Sequence, residues 1–412
     1  MDFGWTPEQQ SLRLEVQQFI AENTANVRRA RAENSEAERG SEGGGRTRRG
    51  RGGRSAELMK KLEEKGWLGV SWPKEYGGAG KGRMTQYIVE EEFSRGGFGI
   101  GGGGGSGAPA IMAAGTEEQK REFIPKLIRG EYSFALGFTE PSGGADLASL
   151  QCRAVEDGDF FVINGQKIFT SSAHVATHIY LMCRTDPDAP KHRGISILIF
   201  PMDTPGITVR PLWTIQNDPP APPGTTYGGP RTNETFFEDV RVPKSALLGE
   251  KNMGWYVGAM GLNLDRVGAG RYLMSIRRDE DIISWSKDNA FGDYDIKQNE
   301  AMRERIAELW AEAQVCRLMT LRSMSVVEHG GNFTYEGSAE KVWAPEHGVK
   351  STESIVQMLG PYGQLLNTSP NAVQSGLYAH NLMGAFQSGI NHGSTQIMRD
   401  QVATRGLGMP RG

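Results

Sequence analysis

Two short stretches hold the residue types that chemistry needs. From Ala135 to Asp146 the chain reads ALGFTEPSGGAD, in which apolar residues run into Thr139, Glu140 and Pro141 and then a glycine-rich turn closed by Asp146. Exposed backbone N–H groups in such a turn can grip an anion or the polar edge of a heterocycle. A plain surface turn would read the same way. From Gly389 to Arg399 the chain reads GINHGSTQIMR, with an imidazole at His392, hydroxyls and amides, but no carboxylate. If a proton is taken here, His392 or a group distant in sequence must take it.

Other stretches suggest chemistry and then fail a test of context. GFGIGGGGGSG, Gly97 to Gly107, contains GxGxxG, but a charged helix precedes it and Ala108-Pro109 follows. A dinucleotide fingerprint needs a strand before and a helix directly after, so a Rossmann role is not expected. Glycines there leave room, either for a loop or for a bulky ligand. RTRRGRGGR, Arg46 to Arg54, resembles an RNA-binding tract but has no aromatics to stack on bases, so a solvated loop and no nucleic-acid partner are expected. His174 and His178 are four apart yet lie between strand-like runs, and no HExxH or HxH pair occurs, so no metal site is expected. No GxSxG elbow supports a hydrolase. Cys152, Cys183 and Cys316 form no CxxC pair, which suits a reducing, cytoplasmic location. The start, MDFGWTPEQQ, lacks the features of a signal peptide, and the most apolar run, GISILIFP, is too short to span a bilayer.

The length of 412 residues suits two or three domains, and a formal net charge of -3 advertises no polyanion partner. The first third predicts helices. Thr6-Pro7-Glu8-Gln9 is a capping box with proline at the first helical position, and Thr116 to Gln119 is a second. SAELMKKLEEKGW and MTQYIVEEEFSR have helical periodicity, the first ending at Gly66. After Glu131 the pattern becomes β. FFVINGQKIFTS predicts a hairpin turning at Asn164-Gly165, and HIYLMCRT, GISILIFPM and ETFFEDVRV predict strands up to about Gly249. Helical periodicity returns at Gly254 and lasts to about Arg405. Helix, sheet, helix without βα alternation predicts an α+β chain.

Seven stretches, in order, carry a family resemblance. WPKEYGGAG and GTEEQKREFIPKLIRGE fit the N-terminal domain of acyl-CoA dehydrogenases. GFTEPSGGAD resembles their TEPxAGSD segment and NGQKIFTSSAHVA their NGxKxWxTN segment. ETFFEDVRVPKSALLGEKNMGW resembles the strand and turn before their last helical domain. QMLGPYG resembles their QxxGGxG, and GSTQIMRDQVATRGLG their closing helix. The resemblance covers nearly the whole chain. It implies a helical N-terminal domain (1–132), a middle β-barrel (133–250) and a C-terminal four-helix bundle (251–412). It also implies FAD, an acyl-CoA thioester and α,β-desaturation, in which the β-hydride passes to flavin N5. An electron-transfer flavoprotein is the expected acceptor, with oxygen as the alternative of an oxidase. A homotetramer or a heterotetramer with a related subunit is the expected assembly.

Matched position by position, Phe138, Thr139, Phe169 and Ser171 would meet the flavin, as would Ser394 and Gln396. Gln357 and Gly360 match the loop that reaches the adenosine half of FAD on a neighbouring subunit. Ala145, Arg266 and Gly393 fall at substrate-contact positions. The departures matter as much. Ala145 replaces a serine, Asp288 stands where an arginine grips a neighbour's pyrophosphate, and Pro361 replaces a glycine and its N–H donor. These losses resemble one subunit of the two-plus-two heterotetramers that hold half the usual flavins, so a catalytically silent partner subunit is a second reading. The common catalytic glutamate of a YEG triplet aligns with His392. Tyr335-Glu336-Gly337 also reads YEG but precedes QMLGPYG, where a surface turn is expected. A minority of the family carries its base in another helix, and there GLNLDRVGAGR places Asp265. Asp265 is the preferred base, with His392 or no base in this chain as the alternatives. A run of glycines at Gly101 to Gly105, near the expected acyl tail, suggests a bulky, ring-bearing acyl group.

Overall fold

The computed structural model describes residues 4–40, 56–96, 107–215, 232–265, 270–289, 295–331, 333–366 and 369–410. In chain order the helices are α1 (Pro7–Gly40), α2 (Ala56–Glu64), α3 (Arg83–Arg95), α4 (Gly107–Ala114), α5 (Glu117–Ile128) and α6 (Gly254–Asp265). They continue with α7 (Gly270–Asp288), α8 (Glu300–Glu328), α9 (Glu336–Met358), α10 (Leu377–Ala385), α11 (Gln387–Ile390) and α12 (Thr395–Gln401). Between α5 and α6 lie β1 (Phe134–Gly137), β2 (Arg153–Asp157), β3 (Phe160–Lys167), β4 (His178–Arg184), β5 (Ile195–Pro201), β6 (Ile207–Pro211) and β7 (Asn233–Pro243). N-terminal helices, a middle sheet and C-terminal helices follow one another as expected. The chain divides into two compact units, one of Asn23–Lys81 and Gly101–Asp265, the other of Met1–Glu22, Gly82–Ile100 and Arg266–Gly412.

The first unit is built on the seven-stranded sheet, ordered β1-β4-β2-β3-β7-β6 with β5 on β4. β1 runs parallel to β4 in the register Leu136 to Tyr180, and β5 runs antiparallel to β4. β4 and β5 are apolar almost throughout because both of their faces are covered. Ile179, Leu181 and Cys183 join Phe161, Leu198, Phe200, Phe237 and Val240 in one core cluster. On the other face Tyr180 lies under the start of α4 and Met182 under α6. A Cβ at Gly107 would sit 3.4 Å from the Tyr180 ring, and one at Gly258 3.4 Å from Met182. The Thr116 capping box starts α5, and Gln119 also donates to the carbonyls of Ser245 and Leu247 at 3.0 and 2.9 Å.

The expected turn at Asn164-Gly165 is corrected. β3 runs through both residues, with a bulge between Ile163 and Gly165 opposite β7. The β2–β3 reversal falls at Gly158, whose φ is +59°. Asn164 is instead spent across strands, its amide donating to Asp239 and its carbonyl accepting from the Asp239 N–H, both at 3.0 Å. Gly165 has φ +148°, and a Cβ there would lie 2.7 Å from Cys152 Cα. Glycine is needed because the backbones approach so closely.

The second unit is helical. The Thr6 box forms reciprocally, with Gln9 N–H to Thr6 Oγ1 at 3.2 Å and Thr6 N–H to Gln9 Oε1 at 3.0 Å. α3, α7 and α8 share a core of Tyr87, Ile88, Tyr272, Leu273, Ile276, Ala313 and Cys316. Glu91 of α3 is fully buried there. Burial pushes its carboxyl up, but Arg317 at 2.7 Å, Arg95 and the Tyr272 hydroxyl hold it below the usual carboxylate value. The surface turn expected at Tyr335-Glu336-Gly337 is also corrected. Glu336 begins α9, and its carboxylate accepts from the N–H groups of Thr334 and Tyr335 at 2.8 and 3.1 Å. An acidic side chain satisfies the orphan donors of a helix start.

Candidate functional site

The residues expected at a cofactor lie in both units. In the sheet unit the chain leaves β1 at Gly137 and passes through Phe138, Thr139 and Glu140. It meets the segment after β3 directly, since Ile168 N–H donates to Thr139 O at 2.9 Å. This hydrogen bond places Thr139 next to the segment that carries Phe169. The Phe138 ring packs on Tyr180 at 5.6 Å between centroids.

Phe169 and Ser171 occupy a turn held from behind. Thr170 is fully buried, its hydroxyl donating to Asn233 O at 2.9 Å and its N–H to the same oxygen at 2.9 Å. Phe169 takes φ +59° and Ser172 φ +63°. A left-handed backbone is uncommon for a bulky residue and marks a place where something else constrains the chain. Its effect here is to turn the Phe169 ring outward, where it is 55% exposed. Ser171 is exposed too, its N–H donating to Phe169 O at 2.8 Å.

Beneath this surface lies a buried ion pair. Lys167 Nζ lies 2.7 Å from Glu140 Oε1 and donates to Phe138 O at 3.0 Å. The Glu140 carboxylate also accepts from the N–H groups of Gln151 and Cys152, at 2.6 and 2.8 Å. The Phe138 and Thr139 carbonyls are therefore both used within the protein. The Thr139 N–H and Oγ1 make no hydrogen bond to the protein among the described residues. An exposed aromatic face beside unpaired donors fits a flat heterocycle with acceptor atoms on its edge, so the residues present suit a flavin.

Ala145 is exposed in the turn after Glu140, and its neighbour Asp146 pairs with Lys191. Asp265 is the last residue of α6. The Asp265 side chain, Arg266, the glycines at Gly101 to Gly105 and the Arg46 to Arg54 tract lie outside the described residues.

The helical unit carries the rest. Gln357 is exposed on the last turn of α9, and Gly360, with φ +55°, opens the 3-10 turn that follows. Asp288 is exposed at the end of α7. His392 and Gly393 form a turn with φ +52° and +92° between α11 and α12, and His392 is exposed. Lys341, fully buried on α9, donates to Ser388 O in α11 just before this turn. Ser394 caps α12 by accepting from Ile397 N–H at 3.4 Å, and Gln396 is exposed on its first turn. The structure thus brings together Phe138, Thr139, Phe169 and Ser171 in one unit. It brings together His392, Gly393, Ser394 and Gln396 in the other.

Sequence reasoning passed over Glu140 and Lys167. A signal existed: β3 buries Phe161, Ile163 and then Lys167, so a lysine falls at an inward position of a strand. A cation there needs a carboxylate partner.

Residues 6–131, 135–221 and 252–407 match family models described as the acyl-CoA dehydrogenase N-terminal, middle and C-terminal domains. The chain is 32% identical to "Acyl-CoA dehydrogenase FadE26" of Mycobacterium tuberculosis, over 100% of this chain and 99% of that protein. It is similar to a solved structure titled "Tcur3481-Tcur3483 steroid ACAD", with 35% identity, a TM-score of 0.81 and both chains covered in full. It is also similar to the ChsE4-ChsE5 complex of Mycobacterium tuberculosis, with 31% identity, a TM-score of 0.80 and both chains covered in full. No helix among the described residues is long and apolar enough to cross a membrane.

Proposed function

The chain belongs to the acyl-CoA dehydrogenase family, and on that premise we propose that it binds FAD and desaturates a bulky acyl-CoA thioester between its α and β carbons. The observation that carries this reading is the surface formed by Thr139, with its unpaired donors, and the outward ring of Phe169. Phe138, Thr139, Phe169 and Ser171 would hold the isoalloxazine, and Ser394 and Gln396 match family positions that contact FAD. Bound flavin supplies the two-electron acceptor for the β-hydride. The chain's own task is then to remove the α-proton and stabilise the charge left on the thioester oxygen.

Asp265 takes the α-proton. A carboxylate in a closed apolar site has its pKa raised toward the working range, which suits a general base. The backbone N–H of His392 donates to the thioester carbonyl whatever side chain stands there, lowering the cost of the enolate. Gly393, Ala145 and Arg266 line the thioester and CoA. The domains of this reading are 1–132, 133–250, closing as a barrel, and 251–412, a four-helix bundle. Electrons leave to an electron-transfer flavoprotein.

The assembly reading follows from what is missing. Asp288 at the end of α7 repels phosphate, and Pro361 has no N–H to offer after Gly360. Gln357 and Gly360 therefore make a poor grip on a neighbour's adenosine, as in one subunit of a heterotetramer. The similar structures named for two components, one of them titled a steroid ACAD, support this reading and a ring-bearing acyl group. The same losses favour a second reading, a silent partner subunit that shapes the assembly without taking a proton.

Purification of the chain with its partner, flavin counting and anaerobic reduction by acyl-CoA thioesters test the proposal. Steroid side-chain thioesters are expected to bleach the flavin faster than butyryl-CoA. A protein that takes up no FAD in any assembly overturns the cofactor. A clear preference for butyryl-CoA overturns the bulky substrate.

A further inference from the structure

Glu140 and Lys167 are 5% and 0% exposed, twenty-seven residues apart in sequence and 2.7 Å apart in space. Removing two charges from water costs several kcal/mol per ion, and mutual attraction offsets this when the geometry is good and the remaining lone pairs and protons are used. Here they are used on backbone. Glu140 holds the N–H groups of Gln151 and Cys152, at 2.6 and 2.8 Å, and Lys167 holds the carbonyl of Phe138 at 3.0 Å. Well-packed apolar side chains of the same volume would serve the sheet as well as the pair does. They could not occupy the Phe138 carbonyl.

That carbonyl matters because of its position. It precedes Thr139, whose own carbonyl is taken by Ile168 N–H at 2.9 Å. With both acceptors consumed, the edge at Thr139 offers its N–H and its hydroxyl as donors. An edge with free carbonyls would repel the oxygen and nitrogen acceptors of a pyrimidine ring. An edge of donors holds them, and holds them more strongly as the ring gains negative charge.

We infer that the buried Glu140–Lys167 pair is the positioning device of the flavin site. It turns the Phe138 carbonyl inward while Ile168 N–H takes that of Thr139, and together these leave a donor edge for the pyrimidine side of the isoalloxazine. Neither residue touches the ligand; both act through the backbone of residues 138–140. The inference rests on the flavin reading above and adds what selects the oxidation state, because a donor edge favours the reduced, more negative ring.

The test compares the full chain, in the assembly it forms in solution, with Lys167→Met and with Glu140→Gln/Lys167→Met. The single variant strands a buried carboxylate and is expected to lose FAD together with stability. The double variant removes both charges. Its apoprotein is expected to melt within about 2 °C of the parent, since ~1 kcal/mol shifts the midpoint of a chain this long by only about 1 °C. Its Kd for FAD, read by quenching of flavin fluorescence, is expected to rise about tenfold or more, as for an unpaired buried carbonyl facing an acceptor. Its flavin reduction potential is expected to move negative, and its visible circular dichroism to change. A double variant that folds and keeps the parent's Kd and potential overturns the inference. So does one that no longer folds, which assigns the pair to the sheet. If the parent itself takes up no FAD, it is the proposed function that fails.

Discussion

Asp265 and His392 make different demands on a variant. A general base contributes ~10²–10⁴ in rate. Asp265→Asn is therefore expected to slow substrate reduction of the flavin by that factor while FAD stays bound, read by stopped-flow absorbance without oxygen. His392→Ala keeps the backbone N–H and is expected to cost much less. A wild-type rate in Asp265→Asn would reassign the base to His392 or to a partner chain. A second residue-scale prediction concerns Asp279 of α7, which is 1% exposed with Oδ1 accepting from Ser351 at 2.9 Å. Burial raises its pKa to about 6, against the Ser351 hydrogen bond and the charge of Arg278. A carboxyl raised above its unfolded value contributes stability at low pH and loses it as pH climbs from about 4 to about 6. His347 works in the other direction, because burial lowers its pKa and so its contribution is lost as pH falls through the ordinary histidine range. Asp279→Asn is thus expected to be more stable than the parent at pH 7, by about 1–2 kcal/mol, since a shift of two pKa units represents up to ~3 kcal/mol and the new amide lacks one partner. The gain should shrink toward pH 4. Thermal melts across that range decide it, and a variant less stable at pH 7 would contradict the sign.

At the scale of elements, two joints should be sensitive. The β3 bulge needs glycine at 165, where a Cβ would meet the Cys152 backbone at 2.7 Å. Gly165→Ala is expected to destabilise by ~2–3 kcal/mol, through overpacking and a strained φ together. Urea denaturation measures it, and a neutral result would mean that β2 can shift to make room. The joint between α3, α7 and α8 depends on Glu91. Arg317→Met leaves that carboxylate buried with Arg95 as its remaining cation, and breaking such a pair costs ~3–5 kcal/mol at full burial. Because Arg317 is partly exposed, the lower end of that range is expected, seen as a lower thermal midpoint. A change of under about 0.5 kcal/mol would show that Arg95 and Tyr272 satisfy Glu91 alone.

At the scale of the molecule, the C-terminal helices leave large apolar side chains in water. Trp310 and Leu318 of α8, Trp343 of α9 and Ile397 of α12 are all exposed in a single chain. Large apolar side chains left in water suit association with another chain. Sedimentation is expected to give a tetramer, made of this chain alone or with a related subunit, with fewer flavins than chains in the second case. A stable monomer saturated with FAD would contradict it.

Local order was legible because local forces decide it. The capping boxes at Thr6 and Thr116, the helix stop at Gly66 and the β character of HIYLMC and ISILIF depend on neighbours a few residues away, and each formed where its residues stood. The order helix, sheet, helix and the family motifs were likewise readable from the chain alone. What needed tertiary structure were outcomes settled by a distant partner. Asn164-Gly165 has the residues of a turn, yet β7 and Asp239 recruit it as a bulge, because the cross-strand hydrogen bonds outweigh the turn preference. Tyr335-Glu336 begins a helix because the orphan N–H groups there need the Glu336 carboxylate. The edge that suits a flavin depends on Lys167 reaching the Phe138 carbonyl and Glu140. In one dimension those residues read as a strand lysine and a turn glutamate. Only folding brings their charges within hydrogen-bond range, and only burial makes their pairing obligatory.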